Sequence, residues 1–220
     1  YDCTTNSYWL ITHNWNSNQF INYRISNQGL DINPVISSAG TVHSGGGSGL
    51  NNSCGQMSIS KDGSKLACAL YTAGIIELLD FDVNTGIVSN PVVISNFTEA
   101  WGVEFSQDGS KIYATQWTQS DLSQFDLSSG NINTIINSKI IVGLATGPGG
   151  IYQAGYIQRG PDNKIYVTKW QSHYLGVVNS PDSPGFSCNF VNNGIYLGSL
   201  TTSTAGLSRC MAPDCALSNI

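Results

Sequence analysis

Ser60-Lys61-Asp62-Gly63-Ser64-Lys65-Leu66 returns as Ser106-Gln107-Asp108-Gly109-Ser110-Lys111-Ile112 and, more loosely, as Gly160-Pro161-Asp162-Asn163-Lys164-Ile165. The aspartates recur at intervals of 46 and 54 residues, at or just beyond the roughly 40–50 residues of a four-stranded propeller blade. Asp-Gly between two apolar runs is a hairpin signal, because Gly accepts positive φ and Asp bonds its own backbone. Each phrase is therefore a turn between the inner and second strands of a blade. Working outward, Cys54–Ser60, Lys65–Tyr71, Ile75–Val83 and Ile87–Ile94 read as four strands, and Trp101–Phe105, Lys111–Trp117, Leu122–Leu127 and Asn131–Ile136 as four more. Phe81-Asp82-Val83-Asn84-Thr85-Gly86 matches Phe125-Asp126-Leu127-Ser128-Ser129-Gly130 in the next unit.

The fold class that follows is all-β: a single propeller over 1–220, with blades at about 1–40, 54–95, 100–145 and 152–200 and a candidate closing strand within 201–220. The first blade is incomplete. Tyr8–His13, Gln19–Ile25 and Ile32–Ser37 supply its outer three strands, and nothing before Tyr8 supplies an inner one. An uncovered inner edge is normally avoided by a strand lent from the other terminus, and Ala205–Met211 is the candidate lender. The alternatives are a closed four-blade ring or about half of a larger one.

Composition agrees: 24 Gly, 10 Tyr, 5 Trp and only 10% charged residues describe short strands and tight turns, where globular chains carry about 25% charge. With 9 basic against 14 acidic residues, net −5, the chain has no basic field for nucleic acid. No apolar run nears the roughly 20 residues that span a bilayer, so a soluble chain without membrane insertion is expected. The start at Tyr1, without Met or a signal-type apolar stretch, suggests a processed or excised segment.

Aligned second strands bring Thr12-His13-Asn14-Trp15, Thr115-Gln116-Trp117 and Thr168-Lys169-Trp170 together, with Leu70-Tyr71 in the same place. Trp15, Tyr71, Trp117 and Trp170, with Trp101 and His173 nearby, are the candidate ligand-binding residues: an aromatic arc whose flat faces would stack on sugar rings or bases. The competing reading wedges these rings between blades. The three histidines are too scattered to impose a mechanism, and Glu104, on an inner strand, is the best carboxylate candidate for the axial channel. Asp80-x-Asp82-x-Asn84-Thr85-Gly86 fails as a calcium loop, with Gly one place late and Pro91 where a Glu belongs. No metal or cofactor site is expected. Six cysteines allow 15 pairings, and Cys210 with Cys215 is a candidate local disulfide. Asn51-Asn52-Ser53 and Asn96-Phe97-Thr98 fit glycosylation sequons.

The run Tyr8-Trp9-Leu10-Ile11-Thr12-His13, then Gly55-Gln56-Met57, Asp62-Gly63-Ser64-Lys65-Leu66-Ala67 and Trp101-Gly102-Val103-Glu104-Phe105-Ser106 resembles the propeller region of large secreted Bacteroidota proteins that carry PKD-type modules and a type IX secretion signal. Tyr166-Val167, Leu175–Asp182, Cys188 and Gly194 continue the likeness. The Asp-Gly turn is shared with TolB-like and lactonase-like propellers. The resemblance implies a ring of about seven blades, a secreted or cell-surface address, further blades from the same parent protein, and no established reaction. The function expected from sequence is thus a non-catalytic binding or scaffold module contacting glycan or an extracellular protein through one loop face. The alternatives are a lactonase-like metal-dependent hydrolase, which needs two acidic residues on inner strands, and a purely structural subunit of an extracellular assembly.

Overall fold

The computed structural model describes residues 2, 4–45, 51–150 and 153–207. Among them, sixteen strands form four antiparallel four-stranded sheets, the blades of a β-propeller. Blade 1 holds β1 (Tyr8–His13), β2 (Ser17–Ser26), the two-residue β3 (Gly29–Leu30) and β4 (Val35–His43). Blade 2 holds β5 (Met57–Ile59), β6 (Lys65–Leu70), β7 (Ile75–Phe81) and β8 (Val88–Ile94). Blade 3 holds β9 (Ala100–Phe105), β10 (Lys111–Gln116), β11 (Asp121–Asp126) and β12 (Ile140–Leu144), and blade 4 holds β13 (Ala154–Arg159), β14 (Ile165–Lys169), β15 (Tyr174–Val178) and β16 (Phe190–Tyr196). Blades 2 to 4 run inner to outer in chain order, while in blade 1 both β1 and β4 pair with β2.

The repeated phrase is explained residue by residue. Asp62 Oδ1 accepts from Ser64 N (3.1 Å) and Ser60 Oγ (2.6 Å), and Ser60 Oγ accepts from Lys65 N (2.9 Å). Asp108 repeats this with Ser110 N and Ser106 Oγ, and Ser106 Oγ accepts from Lys111 N. Gly63 and Gly109 both sit at φ +72°, which a Cβ would strain. In the looser copy Asn163 takes that conformation at φ +63°. Burial works to raise the Asp108 carboxyl, but the bonds from Ser110 and Ser106 and its contact with Asp182 outweigh it and hold the group at about 2.

Because strand side chains alternate, each middle blade packs on two neighbours. Leu66, Cys68, Leu70, Leu79 and Phe81 face blade 1, meeting Phe20 and Ala39. Ala67, Ala69, Ile76 and Leu78 face blade 3, meeting Val103, Phe105, Ile112 and Phe125. Tyr113, Leu122 and Val142 then meet Ile157, Ile165, Val167 and Val178 of blade 4. The cores therefore lie between sheets, and burial of each Leu, Ile, Val or Phe contributes about 1.5–3 kcal/mol.

Polar ties cross the same boundaries near the axis. Gln56 Oε1 accepts from Val103 N (3.3 Å) and Ile157 N (3.0 Å), and its Nε2 donates to Ile157 O (2.7 Å). One side chain thus joins three inner strands. Gly102 and Gly155 let these strands close up, since a Cβ on either would fall 2.8 Å from Gly155 O or 2.6 Å from Ala205 O.

One expectation changes, and others fall outside the described residues. Asn131–Ile136 is not the outer strand of blade 3: Asn131 caps a short helix, α1 (Ile132–Asn137), by accepting from Thr134 N, and β12 follows it as the outer strand. The Ile132, Ile135 and Ile136 spacing seats that helix on the blade 2–3 core. Among the described residues Cys54, Cys68 and Cys188 are free thiols; Cys210 and Cys215, and the chain from 208 onward, lie outside the described residues. Ser203–Ala205 docks on blade 4: Gln171 N donates to Ser203 O, and Tyr156 N to Ala205 O (2.8 Å). No described helix is long and apolar enough to cross a membrane.

Candidate functional site

In an antiparallel blade the end of the second strand lies beside the start of the inner one. Gln116 pairs with Ala100, so Trp117 falls opposite Glu99 and donates its N–H to the Glu99 carbonyl at 3.0 Å. This register brings Tyr71, Trp101, Trp117 and Trp170 into one chain of rings. Tyr71 meets Trp101 edge-on at 5.3 Å, Trp101 lies 4.6 Å from Trp117, and Trp117 lies 6.0 Å from Trp170. Tyr156 joins from the other side, 5.9 Å from Trp101. Trp101 Nε1 donates to Ala205 O (3.4 Å).

Burial grades along the ledge. Tyr71 and Trp101 are buried, Trp117 is half-buried, and Trp170 is 36% exposed. The inner rings are therefore wedged between blades, and the outer ones offer a face to solvent. The wedged reading fits the inner rings.

Two of the expected members stand apart. Trp15 lies in the turn after β1, 42% exposed. The residue at the end of β1, four before the next strand as Tyr71 and Trp117 are, is His13. Aligning the Trp that closes each run shifts blade 1 by two residues. His173 sits in the β14–β15 loop, its Nδ1 2.7 Å from Thr201 O, and ties the 198–205 segment to blade 4 rather than entering the ledge.

Sequence reading missed Glu99. Its half-buried side chain adjoins the ledge, and Oε2 is buried with no hydrogen-bond partner among the described residues. Burial, then a side-chain hydrogen bond to Glu99 and the charge of that carboxylate, push the Tyr71 phenol up. No motif surrounds Glu99; its position one residue before the inner strand of blade 3 is the signal that could have found it.

Glu104 behaves differently. Oε1 accepts from Ser58 Oγ (2.6 Å) and Phe105 N (3.0 Å), and Oε2 from Arg159 N (3.3 Å). It bolts three inner strands together. Among the described residues no three His, Cys, Asp or Glu side chains are grouped to hold a metal ion, and both Glu104 oxygens already serve the protein. These residues do not fit a metal held by channel carboxylates.

Elsewhere, the rings of His13 and His43 stack at 3.5 Å and 11°, with both Nε2 atoms buried and unbonded among the described residues. Rings so nearly parallel cannot both aim a lone pair at one ion, so the pair is not a metal clamp. Burial lowers both, and His13 further depresses His43, to about 4. Lys169 is fully buried, and Nζ donates to Asn192 O (2.5 Å), Asn192 Oδ1 (3.3 Å) and Asn193 Oδ1 (2.7 Å). Burial lowers its pKa to about 8.

No family model and no curated protein sequence matches the chain. Solved structures do. The periplasmic gluconolactonase of Pseudomonas aeruginosa aligns with a TM-score of 0.56 at 14% identity, over 80% of this chain and 51% of that one. A protein of Bacteroides fragilis provisionally assigned as a 6-phosphogluconolactonase gives 0.55 at 10% identity over 86% and 52%, and its counterpart in Bacteroides uniformis gives 0.52 at 12% over 80% and 48%. The chain spans about half the length of these propellers. The expectation of a non-catalytic module is corrected here: the propellers that the chain resembles bear lactonase names, which favours the lactonase-like alternative. At such identity the likeness shows the fold alone, a β-propeller.

Proposed function

We propose that this chain is part of a lactonase-like enzyme that opens a sugar-derived lactone by hydrolysis. The observation that carries the reading is the ledge from Tyr71 through Trp101 and Trp117 to Trp170, with an unpartnered carboxylate oxygen of Glu99 beside it. Aromatic faces hold the C–H face of a sugar ring at little entropic cost. A buried carboxylate oxygen with no protein donor suits a bond to water, and can take the proton as that water attacks. The water oxygen then bonds to the lactone carbonyl carbon, the ring C–O bond breaks, the released alkoxide takes a proton, and a hydroxy acid leaves. In this scheme Trp117 and Trp170 position the ring and Glu99 is the general base. The reading further rests on the fold shared with propellers of lactonase name.

The test is pH-stat titration of acid release from gluconolactone. Trp170→Ala is expected to raise KM and Glu99→Gln to lower kcat, with unfolding midpoints little changed. Equal rates in all three proteins and in buffer would overturn the proposal. The address proposed with it is outside the cytoplasm, as the resemblance to secreted Bacteroidota propeller regions suggests; exclusive recovery of the native protein from cytosol would refute that.

A further inference from the structure

The end of blade 4 that carries Trp170 carries two more exposed rings. Val167 pairs with Gly176, so two residues farther along Lys169 comes opposite Tyr174, the first residue of β15. Tyr174 in turn pairs with Tyr196, the last residue of β16. Their rings lie 5.0 Å apart, tilted by 43°, and are 36% and 56% exposed. Neighbouring strands stand about 4.8 Å apart, so this pair continues the ledge outward from Trp170 by one strand and then two.

The side of the sheet follows from alternation. Ile165, Val167 and Val178 pack against blade 3, so Lys169 and Tyr174 turn toward the same side. Asn192 crosses to blade 3 there, its Nδ2 donating to Thr146 O (3.2 Å) and Thr146 Oγ1 (3.1 Å) just beyond β12. The two tyrosines therefore stand over the cleft between the outer strands of blades 3 and 4.

Lys169 arranges the polar side of this cleft. An ammonium donates three bonds and accepts none, so its bonds to Asn192 Oδ1 and Asn193 Oδ1 oblige both amides to turn their oxygens inward. Asn192 then spends its Nδ2 on Thr146. Asn193 is exposed, three residues before Tyr196 on the same strand, and its Nδ2 has no acceptor among the described residues. A buried cation thus presents two amide N–H donors to solvent beside a pair of aromatic rings. Aromatic faces take the C–H face of a sugar, and a few fixed polar groups set its orientation, here through hydroxyls that accept from the amide.

We infer that Tyr174, Tyr196 and Asn193 form an outer subsite for a second sugar residue, so that the lactone opened at the ledge is the end unit of an oligosaccharide. The inference rests on the proposed hydrolysis for placing the lactone ring at Trp117 and Trp170, and it names the substrate class of that site.

Isothermal titration calorimetry with cellobionate, maltobionate and lactobionate, beside gluconate, reads the subsite without turnover, because these acids are hydrolysis products. At least one of the three is expected to bind about tenfold more tightly than gluconate. Tyr196→Ala and, separately, Asn193→Ala are expected to remove most of that advantage, with circular dichroism and urea midpoints retained. Equal affinity for gluconate and all three disaccharide acids, or an advantage that survives both substitutions, would overturn the inference. Failure of the hydrolysis shows elsewhere, as absent acid release from gluconolactone, so the two failures are distinct.

Discussion

The indole of Trp117 lies 4.6 Å from that of Trp101, tilted by 32°. One ring closes the second strand of blade 3 and the other opens its inner strand, so sheet register alone brings them together. Truncation within the ledge and at its exposed end should differ. Trp117→Ala removes a half-buried ring and is expected to cost about 2 kcal/mol in urea unfolding, below the roughly 3–5 of a fully buried Trp. Trp170→Ala, at the exposed end, should leave the midpoint nearly unchanged and lower kcat/KM for gluconolactone about tenfold, or about 1.4 kcal/mol. The reverse pattern would make the ledge purely a wedge.

His13 and His43 predict loss of stability in mild acid. Their folded pKa values lie below the ordinary 6.5, with His43 at about 4, so the unfolded chain binds protons first. Their contribution is full above about 6.5 and is lost as pH falls toward about 4. Chemical denaturation across that window should lose about 2 kcal/mol that the variant His43→Phe retains. An equal slope in both proteins would contradict the assignment.

Lys169 predicts the opposite end of the scale. Its folded pKa is lowered from 10.5 to about 8, so between those values the unfolded chain again holds more protons. Stability attributable to this group should rise as pH climbs from 8 toward 10. Lys169→Met should flatten that rise, as followed by the urea midpoint.

Glu104 is predicted to be structural. Glu104→Ala strands Ser58 Oγ and the amides of Phe105 and Arg159 among the inner strands and should cost about 2–4 kcal/mol. Glu104→Gln keeps an acceptor oxygen and should recover part of the loss while leaving the rate on gluconolactone unchanged. A rate collapse in a stable Glu104→Gln protein would move the general base from Glu99 to Glu104.

The propeller was legible because its signals are local. The bonds of Asp62 and Asp108 to their own turns, and the positive φ of Gly63 and Gly109, are written within seven residues. Where a local signal was ambiguous the reading slipped: the isoleucines of 132–136 suit a strand as well as one face of a helix, and Asn131 decided for the helix. The candidate site was only partly legible. Tyr71, Trp101, Trp117 and Trp170 share strand-end positions, but Trp15 follows a Thr in a differently registered strand. Glu99 becomes notable only when the folded chain leaves its Oε2 without a partner.

The central claim is that the aromatic ledge and Glu99 together open a sugar lactone. Its most direct measurement is the initial rate of acid release from gluconolactone by the purified chain, beside the Glu99→Gln protein shown to be equally stable. The account predicts a saturable rate above the spontaneous one, reduced at least tenfold by that substitution. A rate equal to buffer, or one indifferent to the loss of the carboxylate, would contradict it.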